Sequence, residues 1–237
     1  MAELPDHHAR VAAALRGAIA AQPQRDAVGA AHDMLAVAES IVAHGGLDVD
    51  DVRQRHLDAA GGTAVLVSVL PIGLATPLDR PRVRRDAYHY AAATGADEGT
   101  ALVCVAAALV AADLLRFDPP TTAVRVRQSL LEDAPMALLD RLILLSPGVP
   151  VDVVEEDPGA ALQVALSVVD WPEDRSVAAV LARLGEPGRG QVGTLAAALA
   201  GIVAGECDVP IDGAVAERAD SVAAALVALG AAAAASW

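Results

Sequence analysis

Apolar residues recur along this chain at helical spacing, and alternation of period two never persists beyond a few residues, so the pattern predicts an all-α fold. A first helix is expected from about Asp6 to Ala21, with Asp6 as its cap and Gln22-Pro23-Gln24 as the break. A second spans about Arg25 to His44 and is closed by Gly45-Gly46. Asp48 caps a third, and Asp51 in its first turn favours the helix dipole. Thr63 to Leu70 is apolar and β-branched; it reads as a short buried helix that Pro71-Ile72-Gly73 stops. Asp79-Arg80-Pro81 pairs a cap with a first-turn proline and opens a helix to about Thr94, ended by Gly95. Asp97-Glu98 begins the most apolar helix, to Arg116. Pro119-Pro120 breaks the chain, and helices follow near Thr121 to Glu132 and Pro135 to Leu145. Ser146 to Asp157 reads as a loop. Pro158–Val169, Asp174–Leu184, Gln191–Ala204 and Ile211–Ala235 complete the set. No fixed repeat and no long linker divides it, so a single domain is expected, a compact multi-helix orthogonal bundle.

Composition changes how that core is expected to pack. Hydrophobic residues make up 54% of the chain but aromatics only 2%, so close contact between helices must replace a few large anchors. The stretch Gly188 to Gly205 shows this best. A Gly-rich turn runs into a helix of Ala and Gly, which lets another helix backbone approach. It contains no Asp or Glu between Glu186 and Glu206.

A net charge of -14, with no cluster of arginines and no lysine, excludes a nucleic-acid binder that works by neutralising phosphates. The densest basic segment, Arg80 to Arg85, is flanked by Asp79 and Asp86 and reads as a solvated helix face. Ala101–Ala112 and Leu195–Gly205 fall short of the about 20 residues of a membrane span and read as buried core helices. The first residues lack the basic start and apolar run of a signal peptide, which points to a cytoplasmic home. Cys104 and Cys207 have no zinc-like spacing and are expected to be buried thiols.

Several segments, in order, resemble the ADP-ribosylglycohydrolase family. His32-Asp-Met-Leu-Ala-Val-Ala-Glu-Ser40, with the acidic loop after it, resembles that family's early helix. Leu70-Pro-Ile-Gly-Leu74 resembles its proline-glycine segment, and Thr94-Gly-Ala-Asp97 the turn that opens its central apolar helix. Pro158-Gly-Ala-Ala-Leu-Gln-Val-Ala-Leu166, then Trp171 and the helix to Leu184, resembles the segment before its last metal motif. The resemblance implies an all-helical fold and, in the family, a pair of divalent metals held by acidic residues on facing helices to cleave ADP-ribose linkages.

This chain departs from the family at those metal motifs. Gly29-Ala30-Ala31 stands where the early acidic pair falls, with Asp33 alone nearby. Gln191-Val192-Gly193-Thr194 stands at the late motif, where only the terminal Thr persists. Hard divalent cations need several oxygen ligands, mostly carboxylates, so no metal and no other cofactor is expected. His32 and Asp33 project about 100° apart on their helix, so one of them at most lines a cavity as general acid or base; otherwise both are surface positions. Asp97 is either a third catalytic group or a helix cap. Glu98, Trp171, Gln191 and Thr194 are candidate ligand-binding residues: Gln191 and Thr194 one turn apart at a helix start, Trp171 as a stacking surface or a core plug. Tyr88-His89-Tyr90 gathers both tyrosines of the chain around a histidine. The expected function is a glycohydrolase-like scaffold that binds a small molecule or partner without metal hydrolysis; the alternative is a metal-independent enzyme on the same scaffold, for instance in a specialised biosynthetic pathway.

Overall fold

The computed structural model describes residues 6–22, 29–55, 62–143, 157–170, 174–185 and 190–235, and every regular element among them is helical. In chain order these are α1 (His7–Ala21), α2 (Ala30–His44), α3 (Val49–Gln54), α4 (Ala64–Ser68), α5 (Leu70–Ala75), α6 (Arg80–Ala93) and α7 (Glu98–Leu114). Then come α8 (Pro119–Leu130), α9 (Met136–Ile143), α10 (Pro158–Val169), α11 (Val177–Leu184), α12 (Gln191–Ala204) and α13 (Gly213–Ala234). No helix among the described residues is long and apolar enough to cross a membrane.

Two helices organise the core. The central helix α7 is buried over most of its length and touches α5, α6, α8 and α10. The small-residue helix α12 lies against α1. A Cβ placed on Gly17 of α1 would fall on the Ala197 carbonyl oxygen of α12, and one on Gly201 of α12 would fall on that of Ala13. The two backbones therefore touch at reciprocal glycines, and each helix supplies the gap that the other fills. Gly73 of α5 meets the Ala108 carbonyl of α7 in the same way.

The surplus of acid has a structural use. Asp48, Asp79, Asp97, Asp118, Asp157 and Asp212 each accept from amides in the first turn of the helix they precede. Such a cap contributes about 1 kcal/mol and meets amides that the helix itself leaves unpaired.

Several expectations change. Asp6 precedes α1 but its carboxylate makes no cap hydrogen bond there, and α2 starts at Ala30 behind Gly29 rather than near Arg25. Pro71 does not end the α4 segment, because α5 restarts at Leu70 and places Pro71 in its first turn, where the missing N–H costs nothing. Pro119 and Pro120 likewise open α8 behind the Asp118 cap, so the helix begins two residues before Thr121. The Arg80–Arg85 face is cross-linked rather than simply solvated. Arg80 joins Arg125 on the buried Asp113 carboxylate, Arg82 donates to the Gly45 carbonyl at 3.2 Å, and Arg84 pairs with Asp133. Of the thiols, Cys104 is buried and Cys207 only partly so; both are free. The predicted loop at 146–157 lies outside the described residues except for Asp157.

Candidate functional site

The residues singled out by sequence fall at three places. The first is the start of α2. In the amide orientation that satisfies its neighbours, the Gln22 side-chain oxygen accepts from the amides of Ala30 and Ala31 at 3.1 and 3.3 Å, which caps the helix. His32 then projects into solvent and Asp33 into the interior, the split that the helical repeat demands. Asp33 is 1% exposed. Its place in the first turn suits a carboxylate electrostatically.

Asp33 belongs to a buried polar group that single motifs in the sequence do not reveal. Tyr90 of α6 is fully buried, and its Oη donates to Ser68 Oγ of α4 at 2.7 Å. Ser68 Oγ is in turn within hydrogen-bonding distance of the Ala64 and Val65 carbonyls, at 3.3 and 3.2 Å. Burial raises the Tyr90 phenol well above its ordinary range; the Ser68 bond opposes this, and the nearby charges of Asp33 and Cys104 add to it. Burial alone pushes the Cys104 thiol up to about 12. Asp33, Ser68, Tyr90 and Cys104 are buried residues of α2, α4, α6 and α7, with the Tyr90–Ser68 hydrogen bond between them. The signal in the sequence was the position of Tyr90, two residues beyond Tyr88 and hence on another face.

The second place is the start of α12. Gln191 is exposed, whereas Thr194 is buried with its hydroxyl 3.2 Å from the Gly190 carbonyl. The two therefore do not share a surface. The divalent pair implied by the family resemblance does not fit these residues: Gly, Ala and Val offer no side-chain oxygen, the Thr194 hydroxyl sits on a backbone carbonyl, and Asp33 points into the Tyr90 cluster. Among the described residues no group of three or more His, Cys, Asp or Glu side chains is arranged to hold a metal ion.

The third place is the start of α7. The Asp97 carboxylate accepts from the Thr100 amide at 2.7 Å, and that bond holds its pKa below the usual carboxylate range. Its neighbour Glu98 lines a groove of about 880 Å3 between α6, α7 and the end of α8. Tyr88 and His89 line the same groove, together with Arg85, Glu132 and the Arg84–Asp133 ion pair. Leu102, Val105 and Leu130 form its floor. Tyr88 stands 41% exposed there, while Tyr90 is fully buried. Trp171 lies outside the described residues. His32, Asp33, Asp97, Gln191 and Thr194 do not line this groove.

No protein-family model and no curated protein matches the chain.

Proposed function

We propose that this chain is an ADP-ribosylglycohydrolase-like helical scaffold that has given up dimetal hydrolysis and binds a small molecule. The supporting observation is the chemistry at the two helix starts that the resemblance pairs. Gly29-Ala30-Ala31 and Gln191-Val192-Gly193 supply no carboxylate, and Asp33 is turned into the interior beside Tyr90. Hard cations bound by fewer than two carboxylates keep most of their water and gain little from a protein site.

Binding is assigned to the groove that Glu98 shares with Tyr88 and His89. It joins an exposed aromatic face to donors and acceptors of both signs over an apolar floor, a combination that suits a polar ligand with a planar group. Acid–base catalysis has weaker support. Asp33 is sealed from solvent, Asp97 is committed to its cap, and His32 faces outward, so the three named groups do not meet.

ADP-ribose is the probe that tests this reading, with calorimetry for binding and chromatography of an ADP-ribosyl-arginine incubation for hydrolysis. Binding without release of free ADP-ribose is expected, with affinity reduced about tenfold by Tyr88→Ala, the loss of one stacking contact. Metal-dependent release of ADP-ribose, or binding indifferent to both Tyr88→Ala and Glu98→Gln, overturns it.

A further inference from the structure

A second groove, which adjoins the first at Pro81, lies between the Thr76–Pro81 segment, the end of α7 and the last turns of α13. Its volume is about 620 Å3, within the span of small-molecule sites. The walls are mostly apolar: Pro77, Leu78, Leu115, Val227 and the Ala231 face of α13. Leu78 in that wall is 61% exposed.

The polar groups at one end of the groove are unevenly matched. Arg116 lines it and has no acidic partner among the described residues; its guanidinium rests over the Phe117 ring at 5.1 Å. His7 also lines it, and its Nε2 is buried with no hydrogen-bond partner among the described residues. One turn on, the nearly buried Arg10 donates to the Leu114 carbonyl at 2.7 Å, beside the lining residue Leu115, and has no ion pair among the described residues. Burial lowers the pKa of both His7 and Arg10, for His7 against the opposing pull of Asp6, so the imidazole is neutral at pH 7. The acids nearby are Asp79, which accepts from the Arg82 amide at 3.0 Å as a helix cap, and Asp6 at the start of α1. In a chain of net charge -14, an apolar groove lined by an arginine without an acidic partner among the described residues is a local exception; the acid in its lining, Asp79, is held at its helix cap.

We propose that this groove binds an apolar carboxylic acid, its carboxylate held by Arg116 at the His7 end and its hydrocarbon body lying along Leu78, Val227 and Ala231. A planar guanidinium matches a carboxylate with two parallel hydrogen bonds, and the desolvated apolar wall strengthens that contact. Pro81 apart, the site shares no lining residue with the Tyr88 groove.

Dodecanoate, below its micellar concentration, is the probe, with dodecanol and dodecyltrimethylammonium as chain-matched controls, all followed by calorimetry. Dodecanoate is expected to bind at one per chain, about tenfold or more tighter than either control, the difference made by a charge-assisted hydrogen bond. Arg116→Ala should remove that preference while leaving the weaker chain binding. Ala231→Trp, at an exposed helix position that tolerates a large side chain, should block all three ligands. Leu78→Asp, also at an exposed site, should reverse the preference toward the ammonium. Tyr88→Ala should change none of these, which separates this site from the other groove. Equal affinity for the three head groups, or dodecanoate binding unchanged by both Arg116→Ala and Ala231→Trp, overturns the proposal.

Discussion

Tyr90 Oη donates to Ser68 Oγ across 2.7 Å in the fully buried centre where α4 and α6 meet. This bond gives the one buried aromatic of that centre a fixed orientation, and Ser68 passes the contact on to the α4 backbone. Tyr90→Phe keeps the ring and removes the bond, so urea denaturation should show a loss of about 1–2 kcal/mol. A larger packing change, Tyr90→Ala, should cost about 3–5 kcal/mol.

The same centre sets an alkaline limit. The folded pKa values of Tyr90 and Cys104 are raised, chiefly by burial, so each contributes stability that is complete below its unfolded pKa and is lost as pH rises toward the folded one. For Cys104 the decline starts near pH 8.5, and for Tyr90 near pH 10. Thermal melts should therefore fall across pH 9 to 11, and Cys104→Ala should reduce the early part of that fall.

Acid acts through a different pair. Arg141 donates to both oxygens of Asp157 at 2.6 Å, and this, more than any other contact, holds the Asp157 carboxyl below its usual range. A depressed carboxyl stabilises the fold above the unfolded value of about 3.9 and loses that contribution as pH falls through the folded one. Asp157→Asn keeps an oxygen for the Ala160 amide but removes the charge. It should lower the urea midpoint at pH 6 and narrow the drop between pH 6 and pH 3.

Close helix packing predicts opposite outcomes for two Gly→Ala changes. Gly201→Ala drives a methyl into the Ala13 carbonyl and should cost about 1–3 kcal/mol. Gly99→Ala in the first turn of α7 meets only the Asp97 side chain, at 3.5 Å, and should stabilise by about 0.5–1 kcal/mol through lost freedom in the unfolded chain. Thermal unfolding of the two variants side by side distinguishes a packed α1–α12 seam from a loose one.

Much of the fold was legible because its signals are local. Asp48, Asp79 and Asp97 mark helix starts in the sequence, and Pro158–Val169 and Gln191–Ala204 are bounded by pattern alone. Pro71, Pro119 and Pro120 are ambiguous in the sequence, because a proline that can break a helix is equally suited to a first turn. The small residues of α12 announced a close neighbour but not which one; that α1 supplies it depends on Gly17 and Ala13, nearly the whole chain away. The candidate site was less legible. Periodicity separated His32 from Asp33, yet only tertiary contacts could show Asp33 turned toward Tyr90 or Glu98 sharing a groove with Tyr88. The Arg80–Arg85 face looked solvated because its acids, Asp113 and Asp133, lie in other helices.

Calorimetric titration of the chain with manganese tests the central claim most directly. With Gly, Ala and Gln at the positions the resemblance gives to acids, no stoichiometric uptake is expected at micromolar metal. Tight binding of two ions per chain would contradict the account and return the scaffold to dimetal chemistry.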